Sequence, residues 1–468
     1  MPISPRFRPA RTHGALGGEF FDAVVPARFP KHILRHRDQR QAARLGLEAL
    51  TDEEWIAHFG RFEPLPGSFE QPLALRYHGH QFRHYNPDLG DGRGFLFAQM
   101  HDLEDGRLLD FGTKGSGQTP WSRTADGRLT LKGGIREILA TTMLEALGVN
   151  TSKSFSLIET GEDLQRNDEP SPTRSSVLVR LSHSHIRIGS FQRLAYLGDA
   201  ASIGALLAHA VRHYLPEAAA DSEPERAALF FAEICRRVAR MGAQWMAAGF
   251  VHGVLNTDNI NITGESFDYG PWRFLPKYDP SFTAAYFDHG GLYAFGRQPE
   301  TLLWNLARLG GCLLPLAGET DLKARLEESL HGFGALVQAE FARAVLWRLG
   351  LKPIEAERDA ALAGLFFNAL LESAAPFERA FFDWRGGRQR DDPHASWAPF
   401  RAALAGYERA AGEHPYFEGP GPATLLIEEV EALWAPIAES DDWGAFHAKL
   451  AEIETARLAY GGMAPRAD

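Results

Sequence analysis

Apolar positions recur at strand spacing in an early part of the chain and at helical spacing through most of the remainder. Short apolar runs at residues 73–77, 95–100, 108–114, 154–159 and 175–181 predict strands; 95–100 and 108–114, joined by a turn at 102–106, form a β-hairpin. One helix interrupts them over residues 135–147, where Ile135, Ile138, Leu139, Thr142, Met143 and Ala146 share a helical period and Gly148 takes the position after the C-cap. The Pro/Ser/Asn/Asp-rich stretch 161–176 reads as a surface loop.

Upstream, a helix is predicted over 38–49, and another begins at Thr51, where Thr51-Asp52-Glu53-Glu54 has the form of a capping box. From Ala200 onward the chain reads helical. Leu229, Phe230, Ala232, Ile234, Val238, Met241 and Trp245 mark a helix over 226–248 that ends at Gly249, and Leu302, Leu303, Leu306 and Leu309 mark one over 299–317. Further helices continue to about 458, with Pro/Gly breaks at 352–353 and 419–422. The fold class expected is α+β, with a mostly β lobe carrying one helix over about 71–190 and a helical lobe after it.

Composition narrows the function classes. A chain of 468 residues is too long for one small core, so two or three lobes are expected. Hydrophobic residues at 44% and charged ones at 23% describe an ordinary globular protein, and a net charge of -11 argues against a general nucleic-acid or membrane-surface binder. The two cysteines, Cys235 and Cys312, lie in apolar helical patterns and read as buried thiols of a reducing compartment. No window of 18 apolar residues occurs and the basic N-terminus has no apolar core after it, so a cytoplasmic location is the expectation.

The chemistry concentrates in His252-Gly253-Val254-Leu255-Asn256-Thr257-Asp258-Asn259 and Asp268-Tyr269-Gly270. A carboxylate and an amide side by side, with a second carboxylate further on, offer the oxygen ligands that Mg²⁺ takes alongside phosphate and water, while an Asp free of the metal could accept a proton. Two Asx turns capping a loop would give the same residues. Leu89-Gly90-Asp91-Gly92-Arg93-Gly94 could expose backbone N–H groups to phosphate or be a tight turn without a ligand. Glu137 suits the first turn of its helix, or pairs with Lys114 at the end of the second hairpin strand, as protein kinases hold a phosphate-binding lysine. Arg180 and Arg187 could grip phosphate or lie on the surface. His78, His80 and His84, with no Cys or paired acid nearby, read as solvated or hydrogen-bonded histidines.

Taken in order, several motifs resemble the selenoprotein O family of kinase-like protein adenylyltransferases. They are Tyr77-x-Gly79-His80-Gln81-Phe82, the glycine-rich run at Gly90, Gly112-Thr113-Lys114-Gly115-Ser116-Gly117-Gln118-Thr119-Pro120, Asp126-Gly127-Arg128, Arg136-Glu137, Arg180-x6-Arg187, His252-Gly253-x-x-Asn256-Thr257-Asp258-Asn259, Asp268-Tyr269-Gly270-Pro271, Lys277-Tyr278-Asp279-Pro280 and Gln298-Pro299, densest over about 71–310. The resemblance implies a protein-kinase-like two-lobed fold. Residues 1–70 would be an extension packed on the core, 71–195 the nucleotide-binding β-rich lobe, 196–330 the helical lobe with the catalytic and metal-binding loops, and 331–468 a C-terminal helical extension.

It further implies transfer of AMP from ATP, inverted relative to ordinary kinases, to Ser, Thr or Tyr hydroxyls of protein substrates. Asp258 would be the general base. Asn259 and Asp268 would hold Mg²⁺ or Mn²⁺. Gly90, Gly92, Asp126 and Gly127 would line the nucleotide, with Arg93, Lys114, Arg180, Arg187 and Asp268 around its phosphates and Glu137 holding Lys114. The chain departs from the family pattern at 83–88 and after about 330, and its last seven residues, Gly462 to Asp468, contain no Cys or selenocysteine, so no redox link between tail and site is expected. The oligomeric state is not legible; a monomer is the working expectation. A conventional phosphotransferase and an inactive nucleotide-binding scaffold remain the other readings, although a kinase spaces its catalytic Asp and metal-binding Asn about five residues apart.

Overall fold

The computed structural model describes residues 3–167, 169–388, 394–410 and 412–461, so the tail at 462–468 lies outside the described residues. Thirteen strands are described: β1 (Pro9–Ala10), β2 (Phe21–Ala23), β3 (Ile33–Arg37), β4 (Leu73–Leu75), β5 (Gly79–Gln81), β6 (His84–Asn86), β7 (Leu96–His101), β8 (Leu108–Lys114), β9 (Leu129–Thr130), β10 (Lys153–Leu164), β11 (Thr173–Ser182), β12 (Phe250–Val251) and β13 (Arg273–Phe274). Nine form one antiparallel sheet in the order β2-β4-β7-β8-β11-β10-β3, with β1 on β7 and β9 on β11. The first 70 residues therefore supply three strands of this sheet, together with the helices α1 (Gln39–Leu45) and α2 (Asp52–Phe59). The short helix α1 stops four residues before the expected end because Gly46 takes a left-handed conformation (φ 75°). The capping box at Thr51 forms as its sequence pattern predicts.

Both faces of the sheet are buried, for different reasons. On one, Trp55 and Phe59 of α2 pack on Phe97, Phe111, Phe155, Val177 and Val179. On the other, α3 (Leu131–Ala146) lays Ile135, Ile138, Leu139 and Met143 against Leu157 and Leu178. A bulge in β10 between Ser154 and Ser156 shifts the side-chain alternation there. Helix α3 starts four residues earlier than its apolar period suggests because Thr130 caps it, accepting from the Gly133 N–H at 3.1 Å. Gly134 lies inside the helix because a Cβ there would fall 2.4 Å from Leu157 Cδ1; its absence lets helix and sheet approach.

The rest is helical: α4 (Ile188–Tyr196), α5 (Ala200–Tyr214), α6 (Glu223–Ala248), α7 (Gln298–Leu313), α8 (Leu322–Leu349), α9 (Ala356–Ser373), α10 (Phe377–Trp384), α11 (Trp397–Leu404), α12 (Ile427–Ser440) and α13 (Gly444–Tyr460). Helix α4 has no counterpart in the sequence reading. It is nine residues long and starts beside Gly189, whose missing side chain admits the His78 carbonyl (a Cβ would lie 2.1 Å from it). Helix α6 ends at Gly249 in the left-handed region (φ 65°), which turns the chain into β12 and the loop beyond it. The C-terminal helices return to the sheet: Ile453 and Ala456 of α13 join the core under α3, Lys132 pairs with Glu431 at 2.7 Å, and Arg174 pairs with Asp441 at 2.7 Å. No described helix is long and apolar enough to cross a membrane.

Phe155 stacks on Trp55 with ring centroids 4.7 Å apart and meets Phe111 at 4.6 Å. Phe155→Ala should therefore cost about 3–5 kcal/mol in denaturant unfolding. A loss below about 1 kcal/mol would mean that this face is not a packed core.

Candidate functional site

Strands β8 and β11, helix α3 and the start of α4 bring four charged side chains together beside the middle of the sheet. Lys114 ends β8, and its Nζ lies 2.7 Å from Glu137 Oε2 on α3, both buried. Arg180 stands on β11 directly opposite Gly112 of β8. Arg187 comes at the start of α4, its guanidinium 4.4 Å from the Tyr77 ring centre and 5.1 Å from that of Phe267.

The carboxylate of Asp268 joins these cations. Lys114 Nζ lies 3.1 Å from its Oδ1, Arg180 Nη1 donates to the same oxygen at 2.6 Å, and Arg187 Nη2 donates to Oδ2 at 3.2 Å. Burial alone would raise the pKa of this group, but Arg180, Lys114 and Arg187 together hold it well below the usual carboxylate range. Asp268 is itself in the left-handed region, with φ 57°, so the backbone there is held in a sparsely populated conformation that aims the side chain at the cluster. Arg187 also lies 3.4 Å from Asp91 Oδ1, within the glycine-rich loop.

These groups line a cavity of about 360 Å³ with Gly90, Gly92, Arg93, Asp258 and Asn259. Asp258 sits in the one-turn helix Thr257–Asn259. Its Oδ1 is shut off from water and has no hydrogen-bond partner. Burial pushes the carboxyl up to about 7; its own backbone N–H pulls the other way and the nearby Asp268 charge adds to the rise. Asn259 donates from Nδ2 to the Val254 carbonyl at 2.9 Å, which leaves the amide oxygen as the atom available to a cation.

The loop is clamped by the β5–β6 hairpin. The His80 N–H donates to Thr257 Oγ1 at 2.7 Å and the Phe82 N–H to Asn256 Oδ1 at 3.1 Å. Gly79 faces the Asp258 carboxyl so closely that a Cβ would stand 2.8 Å from Oδ1. His252 lies outside the cavity wall, fully buried. Its Nε2 donates to the Phe267 carbonyl at 3.3 Å and its Nδ1 accepts from the Val254 N–H at 3.4 Å, and burial pushes its pKa down to about 4. A neutral ring so engaged ties the chain ahead of Asp258 to the residue just before Asp268.

The structure thus brings together Asp258, Asn259, Asp268, Lys114, Glu137, Arg180 and Arg187, with Gly90, Gly92 and Arg93 in the same wall. Asp126 and Gly127 do not line the cavity, although the adjacent Ala125 does. Asp126 is exposed and paired with Arg166 at 2.8 Å, and Gly127, at φ 70°, is fixed by the Gly117 backbone, 2.3 Å from where a Cβ would be. The glycines of the loop also sit where the chain packs closely on itself. A Cβ at Gly90 would fall 2.4 Å from Trp121 Cγ and one at Gly94 1.9 Å from the Thr113 carbonyl oxygen, so their absence serves close packing within the protein.

Sequence reasoning did not single out Tyr77, Asp91, Thr113, Trp121 or Ser122 as lining residues. Trp121 carried no signal beyond its type, whereas Asp91, between two glycines of the motif, did. His78 and His80 are hydrogen-bonded, to Tyr85 at 2.8 Å and Gln192 at 2.7 Å, and among the described residues no group of three or more His, Cys, Asp or Glu side chains is placed to hold a metal.

Asp258 makes a stability prediction. Its folded-state pKa is raised, so its ionised form costs stability above about pH 7, and the cost fades as pH falls toward the ordinary carboxylate value. In the metal-free protein, Asp258→Asn should unfold at a higher temperature than the parent at pH 8, by on the order of 1–3 kcal/mol, with the gap closing toward pH 4 (~4 being the unperturbed value). A gap of the same size at both pH values would contradict the burial argument.

Known sequences resemble this one along nearly its whole length. The family described as Protein adenylyltransferase SelO matches residues 6–396. A relative from Gloeobacter violaceus, named Protein nucleotidyltransferase YdiU, is 46% identical over 463 residues, covering 92% of each chain. Relatives of the same name from Trichormus variabilis and a Synechocystis species are each 43% identical, covering 94% of this chain and 94% and 96% of their own. The match runs past residue 310, where the motifs thin out, and on this extent and identity the chain belongs to the SelO family of protein adenylyltransferases.

Proposed function

We propose that this protein transfers AMP from ATP to hydroxyl side chains of other proteins, with the nucleotide between a β-rich lobe and a helical lobe arranged as in protein kinases. One observation carries the reading. Asp258, whose buried Oδ1 has no hydrogen-bond partner, shares a cavity with three buried cations already converged on one point.

In this reaction the substrate hydroxyl oxygen bonds to the α-phosphorus, the bond from that phosphorus to the bridging oxygen breaks, and pyrophosphate leaves with the electron pair. Asp258 takes the hydroxyl proton. A carboxyl poised near neutral pH is suited to that task, since it is ionised in part of the population yet basic enough to accept. Lys114, Arg180 and Arg187, with Arg93 at the rim, face the charge that builds on the phosphates, and being held in place beforehand they need no reorganisation as it develops. Glu137 fixes Lys114 among them.

The donor set fits a hard divalent cation. Asn259 Oδ1 and the Asp268 carboxylate line one wall and would be its oxygen ligands, and Mg²⁺ or Mn²⁺ would take the remaining ones from phosphate and water. When bound, such an ion neutralises phosphate charge and orients the phosphates for in-line displacement. Protein substrates bearing Ser, Thr or Tyr are the partners this reading requires. The buried free thiols Cys235 and Cys312 accord with action in the cytoplasm.

Incubation with Mg²⁺ or Mn²⁺ and ATP labelled at the α or the γ position tests the reading. Label should pass to protein from the α position only; transfer from γ only would make the protein a kinase, and binding without transfer a scaffold. Asp258→Ala should lower transfer by about 10²–10⁴-fold while ATP still binds, and near-parental rates would refute the base assignment. Asp268→Ala should abolish the metal dependence of ATP binding, and an unchanged metal requirement in titration calorimetry would remove Asp268 as a ligand.

A further inference from the structure

Behind the cavity wall lies a buried polar chain to which the transfer reaction assigns no part. Arg180 Nε donates to His185 Nε2 at 3.2 Å. A guanidinium only donates, so Nε2 must present its lone pair and the ring proton must sit on Nδ1. That nitrogen faces two acceptors, Ser182 Oγ at 3.1 Å and Asp110 Oδ2 at 3.5 Å. Asp110 is fully buried on β8 and is held in turn: its Oδ2 accepts the His185 backbone N–H at 2.9 Å and its Oδ1 accepts from Gln99 Nε2 at 2.8 Å. Burial keeps the His185 pKa below its ordinary value, in agreement with the neutral tautomer that the hydrogen bonds require.

The sequence makes room for this arrangement at one position. Gly112 is the residue opposite Arg180 in the β8–β11 ladder, and a Cβ there would lie 2.0 Å from His185 Nε2. The imidazole occupies the space a side chain at 112 would take, which is how it reaches the Arg180 Nε. With Nε tied to the imidazole and the guanidinium 4.9 Å from the Phe267 ring centre, Nη1 is directed at Asp268 Oδ1, 2.6 Å away. His185 does not line the cavity, so whatever it contributes passes through Arg180.

We propose that His185, its tautomer set by Asp110 and Ser182, is a positioning residue that fixes the Arg180 guanidinium for the phosphates of the bound nucleotide. This rests on the reading of the cavity as an ATP site, and binding and transfer are measured separately so that the two can fail separately.

The test is a double-mutant cycle on Mg·ATP affinity by calorimetry, using the full chain. Expected is a loss of about tenfold in His185→Ala, with the double variant His185→Ala/Arg180→Ala within about twofold of Arg180→Ala alone, because the histidine has nothing left to position. His185→Gln, whose amide oxygen reaches the Arg180 Nε, should stay within about threefold of the parent, while the shorter His185→Asn should fall with the alanine variant. A parental affinity in His185→Ala, a loss that adds fully to that of Arg180→Ala, or equal losses in the Gln and Asn variants would overturn the proposal. If His185→Ala fails to fold, the Gln/Asn comparison decides alone. Absence of α-label transfer by the parent would refute adenylylation, whereas the affinity cycle still reads His185.

Discussion

The Asp268 carboxylate is the constraint on which the rest of the site depends. Buried cations are costly unless each is paired, and Lys114, Arg180 and Arg187 are all within hydrogen-bond or ion-pair distance of this one group. The cations come from the sheet and from the start of α4, whereas Asp268 comes from the loop after α6 and β12. The ion cluster is therefore also a joint between the β-rich and helical parts of the molecule. Glu137 and Asp91 complete the balance on the β-rich side, so three positive groups meet three negative ones and none is left as an isolated buried charge.

Against this tightly paired wall stands Asp258, whose buried oxygen has no partner. The asymmetry is maintained by apolar and backbone packing: the β5–β6 hairpin grips Thr257 and Asn256, Gly79 gives the carboxyl its space, and His252 binds the far end of the loop through Phe267. Two carboxylates in one cavity are thus driven in opposite directions, Asp268 kept ionised by cations and Asp258 made basic by burial.

Most of the elements that position the site were legible as periodicity. The β7–β8 hairpin, the inner parts of β10 and β11 and the helices α3, α6 and α7 were visible, because each buries an apolar stripe at regular spacing, whereas the paired ends of β10 (to Leu164) and β11 (from Thr173) are mostly polar and lie in the stretch read as a loop. The Lys114–Glu137 contact could be framed as an alternative, though the same glutamate also suited a helix N-terminus. What stayed hidden depended on long-range contact. Helix α4 is short and has a glycine in its first turn, and β2 and β3 pair with strands far along the chain, so residues 1–70 carried no local sign that they belong to the main sheet. The role of Gly112 could not be read from sequence either, since it arises from the imidazole of His185 meeting it across the ladder. The glycines at 90 and 94 were recognised as places of close approach, but what approaches them is Trp121 and Thr113.

The return of the C-terminal helices to α3 bears on how such a protein could be regulated. Helix α3 carries Glu137, the partner of Lys114, so a swing of this helix would change how the lysine is held. Here α3 has α13 packed beneath it, Lys132 tied to Glu431, and the sheet beside it tied to Asp441. A swing of α3 would have to peel away these helices and break buried apolar contacts at the same time. Withdrawing Glu137 from Lys114 is in this fold coupled to the seating of the C-terminal helices.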